Sequence, residues 1–561
     1  MFAGLKAPPK LEPDTLRVIP LGGLGDVGRN MTAFEVNGEI LLVDCGVLFP
    51  EERHPGVDLI LPGLDVIADR LDRVVGLVLT HGHEDHIGAV PYFLKQRPDV
   101  PVYGSRLTLG LLRGKLREHR LSQTDLREVK ELDRLTVGDQ FDVEFIAVNH
   151  SIPDALAVCL RTAGGLVLHT GDFKMDQLPL DGRITDLRSF ARLGQEGVDL
   201  FLTDSTNAEV PGFTISEREV EPALRRVFDT AEHKIVVACF SSHVHRVQQI
   251  VNQAALHNRK VVYVGRSMIR NMAVARDLGF LNVPSGILID LKDLDNYPED
   301  RVAIISTGSQ GEPLSALARM SGGSHPQVVL GPGDTVLLAS SLVPGNENAV
   351  FRVVNALTRL GARVVHKGNA LVHVSGHAAA GELLYCYNIV QPRRVMPVHG
   401  ELRHLIANAN LAIATGVPED NAIVAEDGVV IDLDRQGARI VGKVDAGYIF
   451  VDGRSVGDLT EESLNDRRIL GNAGFITVIA VIDLANRSVT SLDLYARGFV
   501  DESEGAFETV RPQILDQISA ALRDGETDQR ALGQVIRRTV GRWVSATLRG
   551  RPMIVPVVVT V

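Results

Sequence analysis

Thiols are scarce in this sequence: its four cysteines, Cys45, Cys159, Cys239 and Cys386, lie far apart, and none belongs to a C-x-x-C pair. That spacing argues against a disulfide framework and a thiolate zinc knuckle, so any metal must be held by histidine and carboxylate. Long apolar runs are missing as well. No stretch reaches the about 18 apolar residues of a membrane span, and Met1 to Pro13 lacks the apolar centre of a signal peptide. Neither membrane insertion nor secretion is expected, which makes the cytoplasm the expected compartment. Aromatic residues are only 5%, with Trp543 the single tryptophan, but 45% apolar and 23% charged residues match an ordinary folded protein and not a disordered one. Basic groups are outnumbered, 58 Lys and Arg against 70 Asp and Glu, for a net charge of -12. This weighs against a nucleic-acid partner without excluding one, because a local channel can be basic or metal-lined under an acidic exterior. A chain of 561 residues predicts two to four domains.

What is present is a histidine cluster. His81, His83, Glu84, Asp85 and His86 crowd the turn His81-Gly82-His83-Glu84-Asp85-His86, directly after the apolar run Val74 to Leu79. Imidazole and carboxylate suit a borderline divalent cation such as zinc, with manganese the alternative. So many ligands at the mouth of a buried strand outweigh the reading of a solvated His-rich turn. By contrast, Gly23, Gly25 and Gly28 fit the dinucleotide pattern G-x-G-x-x-G but are a decoy. Met31 to Val36 and Glu39 to Val43 read as strands paired around Asn37-Gly38, where a dinucleotide site needs a helix. Asp44 ends the second of these strands, and either braces the metal loop or caps a turn.

Further candidate ligands stand at strand ends. From Leu16 to Asp204 short apolar strands alternate with turns, interrupted by helical stretches near Leu61 to Leu71 and Leu107 to Glu118, an α/β layered pattern. His150 follows the strand Phe141 to Val148. Asp172 follows an apolar strand from Leu166 through the turn residue Gly171. His399 follows Val395 to Val398, with Glu401 or His404 as partners behind it.

Taken in order, HGHEDH, then a strand-end His, then Gly-Asp, then Val-His-Gly, the sequence resembles the metallo-β-lactamase superfamily. The resemblance implies a four-layer αβ/βα sandwich with two divalent ions in its strand-end loops. His81, His83 and His150 would hold one, Asp85, His86 and His399 the other, and Asp172 would bridge them. Such a pair supplies hydroxide at neutral pH and stabilises the attacking and leaving oxygens of an in-line displacement, which favours ester hydrolysis.

Between Asp172 and His399 lies a large insertion. Strands such as Lys234 to Phe240, Lys260 to Val264 and Thr335 to Ala339 alternate with helices such as Ser216 to Glu232 and His245 to His257, predicting a second α/β domain. Because metal-site segments bracket it, the active site is expected in the cleft between the two. Asp204-Ser205-Thr206, Phe240 to Arg246, Thr307 to Glu312 and His373-Val374-Ser375-Gly376-His377 resemble the β-CASP nucleic-acid nucleases, and this likeness covers nearly the entire chain.

The chemistry of these segments fits phosphate. Ser241 and Ser242 open a predicted helix, whose free N–H groups favour an anion, although a plain serine cap is the competing reading. Ser375 and Gly376 form a tight turn between His373 and His377 that permits close backbone approach to another phosphate. The expected substrate-binding set is Ser241, Ser242, His243, His373, Val374, Ser375, Gly376 and His377. His377 is the candidate general acid for the departing sugar oxygen, and Asp204 would hold its imidazole and raise its pKa. With Asp85 they form the expected catalytic group.

The expected organisation is 1–208, first part of the sandwich; 209–372, an α/β β-CASP domain; 373–450, second part of the sandwich; 451–464, a linker around Asp452 to Asp458; and 465–561, a small α+β domain. The last has strands near Phe475 to Asp483, Val489 to Ala496 and Met553 to Val561, and helices near Ala506 to Arg523 and Asp528 to Leu548. Arg537, Arg538, Arg542, Arg549 and Arg551 with Trp543 suggest either an RNA contact or an oligomer interface. The resemblance implies a two-metal ribonuclease of single-stranded RNA, a 5′ to 3′ exonuclease preferring a 5′ monophosphate with endonuclease activity, in RNA maturation and mRNA decay. It also implies a homodimer or homotetramer and RNA-decay protein partners. The alternatives are a DNA nuclease of the same family, a small-molecule esterase or lactamase, for which the insertion is superfluous, and a non-catalytic RNA-binding scaffold, which should have lost some ligands.

Overall fold

Asn37 and Gly38 both take positive φ, 48° and 87°, and turn the chain between Met31–Val36 and Glu39–Val43, which pair antiparallel with Val36 opposite Glu39. The computed structural model describes residues 2, 4–51, 53–312, 314–342, 346–498, 507–547 and 551–561. This hairpin lies inside an eight-stranded sheet in the order Gly437–Lys443, Val429–Asp434, Leu16–Gly22, Met31–Val36, Glu39–Val43, Val74–Val78, Val102–Gly104, Leu126–Glu128. A six-stranded sheet follows the order Val395–Val398, Leu200–Asp204, Gly165–His169, Leu156–Thr162, Phe141–Ala147, Arg134–Val137.

Side chains of the two sheets interleave. Val18, Phe34 and Leu41 from the first share one core with Val143, Val158, Leu200 and Leu202 from the second. Strand alternation sends Phe201 and Leu168 to the opposite face, where they meet Phe190, Leu383, Tyr387 and Ala412 of the helices Leu187–Glu196, Ala380–Val390 and Leu402–Ala414. With the helix Arg106–Glu118 and its neighbours, the result is the four-layer sandwich expected.

The insertion forms a five-stranded sheet in the order Lys260–Val264, Val302–Ser306, Ile235–Ala238, Thr335–Leu338, Arg363–Val365. Its neighbouring strands all pair parallel, and they are near-continuous Val and Ile runs because helices cover both faces. The chain separates into two compact units, Met1–Phe49 with Leu59–Ile449, and Pro50–Asp58 with Phe450–Val561. In the second unit Phe475–Asp483 pairs antiparallel with Ser488–Arg497 and parallel with Met553–Thr560, and its alternate residues Ile476, Val478, Ala480 and Ile482 pack on Ile514, Ile518, Leu532 and Ile536. Among the described residues no helix is long and apolar enough to cross a membrane.

Several local expectations give way. Leu61 to Leu71 is no α-helix: strand Leu59–Pro62 breaks at Pro62-Gly63, and a 3-10 segment Asp65–Arg73 follows. Ser216 to Glu232 divides into a 3-10 turn Glu217–Val220 and a helix Glu221–Thr230 with Pro222 in its first turn. Around Asp452-Gly453 the expected linker is a hairpin in which Val451 faces Val456, and a helix Glu461–Ala473 follows, capped by Thr460 Oγ1 on the Ser463 amide. Trp543 is interior, its indole N–H donating to Thr509 Oγ1 at 3.0 Å, and packs in the domain's core. Arg537, Arg538, Arg542 and Arg551 are exposed, whereas Ala506, Leu548 and Arg549 lie outside the described residues.

Candidate metal centre and active site

Three adjacent parallel strands, Gly165–His169, Leu200–Asp204 and Val395–Val398, stop at one level, with His169 opposite Leu202 and Asp204 opposite Val398. Their C-terminal ends deliver Asp172, Asp204 and His399. From the other sheet the parallel strands Glu39–Val43 and Val74–Val78 deliver Asp44 and the turn His81 to His86. Clefts at the carboxyl ends of parallel strands are where α/β folds hold ligands. The fit is tight: a Cβ on Gly46 would fall 1.6 Å from the Asp85 carbonyl oxygen, and one on Gly376 2.6 Å from the His150 ring.

Hydrogen bonds fix which ring nitrogen faces inward. His150 Nδ1 donates to the Gly376 carbonyl at 2.7 Å, leaving the Nε2 lone pair for the site. Thr80 donates its hydroxyl to Asp44 Oδ2 at 2.8 Å, so His81 Nδ1, at 3.0 Å, donates to Thr80 Oγ1 and again frees Nε2. These two Nε2 atoms each lie 3.1 Å from His83 Nδ1. Burial, which disfavours the charged form, holds His81 and His150 well below the usual histidine range and His83 at about 4. Three uncharged imidazoles thus converge on one point, the donor set a divalent cation requires.

Asp172 Oδ2 lies 3.7 Å from both His81 Nε2 and His150 Nε2, 3.2 Å from His86 Nε2 and 3.5 Å from His399 Nε2, while its Oδ1 is buried without a hydrogen-bond partner. A carboxylate placed this way could bridge two cations. Asp85 Oδ2 completes the second group, 3.3 Å from His399 Nε2 and 3.6 Å from His86 Nε2. Outer partners orient these rings too. Asp44 Oδ2 accepts from His86 Nδ1 at 2.8 Å. Thr206 donates to the His399 carbonyl at 3.0 Å and accepts from His399 Nδ1 at 2.6 Å. His399 itself sits at φ 56°, a left-handed conformation that aims its ring back into the site. The structure thus brings His81, His83, His150 and Asp172 together as one possible ligand group and Asp85, His86, Asp172 and His399 as another.

Beside them His377 Nδ1 lies 2.7 Å from Asp204 Oδ2, and its ring stacks on His399 at 5.3 Å. Burial alone would lower the His377 pKa, but the Asp204 carboxylate outweighs it and the pKa is raised. With Nδ1 engaged by Asp204, the mobile proton is on Nε2. Asp44 braces the loop, and Thr80, Thr206 and Asn30, to which the sequence alone assigns no such role, complete the outer ring; Asn30 Nδ2 reaches the Asp85 carbonyl at 3.1 Å. Glu401 and His404, expected behind His399, instead cap the helix Leu402–Ala414, the Glu401 amide donating to His404 Nδ1 at 3.2 Å.

On the inserted domain, Ser241 and Ser242 occupy a turn after Ile235–Ala238, and the helix begins at Val244 with His243 in the capping position, so neither serine is the cap. Asn271 Nδ2 donates to Ser241 Oγ at 3.2 Å. His243 and His373 are buried with ring centroids 6.0 Å apart; His243 Nε2 lies 3.4 Å from Glu217 Oε1, and His373 Nδ1 has no hydrogen-bond partner. Val374 is buried, and Ser375 Oγ accepts from the His377 amide at 3.2 Å. Gln310 of Thr307 to Glu312 donates to Ser340 Oγ at 3.1 Å, tying together the C-terminal ends of two strands.

Residues 24–191 match the metallo-beta-lactamase superfamily, and residues 361–424 the Zn-dependent metallo-hydrolase RNA specificity domain. The fold and its converging ligands therefore define a metal-dependent hydrolase of that superfamily. Residues 232–357 match the beta-CASP domain of ribonuclease J, and 462–561 the ribonuclease J C-terminal domain. The chain is 52% identical to Ribonuclease J of Mycolicibacterium smegmatis and 50% to that of Mycobacterium tuberculosis, in both cases over 100% of each chain. Identity to Ribonuclease J of Thermus thermophilus is 41%, over 97% of this chain and 95% of the relative. The chain belongs to the ribonuclease J family of metal-dependent ribonucleases. A crystal structure of a protein of unknown function from Enterococcus faecalis V583 shares the fold at 16% identity and TM-score 0.51, covering 75% of this chain and 100% of its own.

Proposed function

We propose that the chain is a two-metal ribonuclease that degrades single-stranded RNA from a 5′ monophosphate end, 5′ to 3′, and also cuts internally, in RNA maturation and mRNA decay. The observation that carries the reading is the convergence of three uncharged imidazole nitrogens beside a carboxylate shared with a second ligand group. His81, His83 and His150 would hold one ion and Asp85, His86 and His399 the other, with Asp172 available to both; zinc suits this donor set, with manganese the alternative. Bound there, the ions supply water activation and charge stabilisation for phosphodiester hydrolysis.

The chain's own groups do the rest. Ser241, Ser242 and His243, together with His373, Val374, Ser375 and Gly376, receive the terminal phosphate, which places the first phosphodiester against the metal ligands. His377 Nε2 gives its proton to the departing sugar oxygen, and Asp204 holds the imidazolium at Nδ1 throughout. The protein works in the cytoplasm as a homodimer or homotetramer with RNA-decay partners.

The test is cleavage of a 3′-labelled single-stranded RNA bearing a 5′ monophosphate, hydroxyl or triphosphate, beside a matched DNA and an Asp85→Ala/His86→Ala control. Stepwise loss from the monophosphate end that the control lacks supports the reading. Internal cuts alone overturn the terminal phosphate pocket, and cleaved DNA beside intact RNA overturns the substrate.

A further inference from the structure

Arg246 has no exposed surface, although it is charged and lies where the inserted domain leaves and rejoins the sandwich. Its Nε donates to Gln249 Oε1 at 3.0 Å, Nη1 donates to the Val372 carbonyl and at 3.4 Å to the Ala339 carbonyl, and Nη2 pairs with Glu217. One side chain thus ties together the chain entering the insertion at Glu217, the end of the strand Thr335–Leu338, and the chain leaving at Val372. Glu217 is anchored in turn to the sandwich: its amide donates to Asp176 Oδ2 at 2.9 Å, a short step along the chain from Asp172.

Val372 directly precedes His373 to His377. That segment passes the Gly376 carbonyl to His150 Nδ1 at 2.7 Å and the His377 ring to Asp204 at 2.7 Å. An apolar side chain could fill the same space, but only a planar guanidinium presents donors in a fixed fork to two carbonyls and a carboxylate from three segments. The geometry points to Arg246 as a positioning residue that sets His373 to His377 against the metal ligands, controlling cleavage without touching RNA. This rests on the role given to that segment above.

The test replaces the buried pair as a unit, Glu217→Leu/Arg246→Met. Apolar replacement of both partners usually preserves folding, whereas Arg246→Met alone leaves a buried carboxylate unpaired. The full chain is compared with wild type by thermal melting, metal content, amide hydrogen exchange over 370–379, and kcat and KM on 5′-monophosphate and 5′-hydroxyl RNA. The expected result is an unchanged melting temperature and metal content, faster exchange confined to that segment, and kcat reduced about 10²-fold, as misplacement of a reacting group produces. Wild-type exchange with wild-type kcat overturns the proposal. So does loss of fold, or a rate loss that follows a general rise in exchange, since either makes Arg246 purely structural. If wild type fails to distinguish the two RNA ends, the terminal phosphate pocket falls, while exchange and kcat still decide the role of Arg246.

Discussion

The candidate metal cluster and the neck of the inserted domain, where His243 and His373 lie, are both built from buried histidines, yet their rings are finished differently. In the cluster the outward nitrogen of His81 is held by Thr80, of His86 by Asp44, of His150 by Gly376 and of His399 by Thr206. In the neck, His243 Nε2 faces the Glu217 carboxylate at 3.4 Å, and His373 Nδ1 has no hydrogen-bond partner. An outer hydrogen bond fixes which ring nitrogen faces the site, and at His81 and His150 burial keeps that nitrogen uncharged, ready for a cation. The neck leaves His373 Nδ1 open to a further partner, which suits an anionic group. A buried histidine is thus identified by what stands behind it.

The sharpest way to break this contrast is to remove the one carboxylate common to both ligand groups. Asp172→Ala is expected to abolish RNA cleavage and reduce bound metal, read by a cleavage assay beside elemental analysis. His377→Ala should lower the rate by about 10² to 10⁴ with full metal content, because the lost group carries a proton and no ion. An unchanged rate removes it from the chemistry. Asp44→Ala tests the outer ring, and titration should show cation affinity weakened about 10- to 100-fold with the fold intact.

The smallest effect lies in the neck and is pH-dependent. Burial would raise the Glu217 pKa, but Arg246 and His243 outweigh it and hold the carboxyl well below its usual range. A depressed carboxyl contributes stability above its unfolded pKa of about 4.3, and that stability is lost as the pH falls below this value toward the folded pKa. Wild type should therefore lose more stability than Glu217→Leu/Arg246→Met as the pH drops from about 5 to 3, measured by denaturant unfolding.

Much of the centre is legible in sequence because each ligand follows an apolar strand that ends in a glycine or polar turn; His81, His150, Asp172 and His399 share that signature, and the structure gathers them. Thr80 and Thr206 were hidden, since a threonine beside a ligand looks like any turn residue until tertiary contact sets its partner. The left-handed backbone of His399 leaves no compositional trace. Ser241 and Ser242 read as opening a helix, with a serine cap the competing reading, but both lie in a turn and the helix starts at Val244 with His243 in the capping position. The inward face of Trp543 is not legible, because one aromatic residue among arginines does not tell which helix face is inside. At Asp452-Gly453 the hairpin signal was available, and its charged surroundings read more strongly as a linker.

The most direct test of the central claim is the metal stoichiometry of purified protein, measured for wild type and Asp172→Ala after loading with zinc or manganese. Two ions per chain are expected in wild type, with a loss from both positions in the variant. One ion in wild type, or two retained without Asp172, would contradict it.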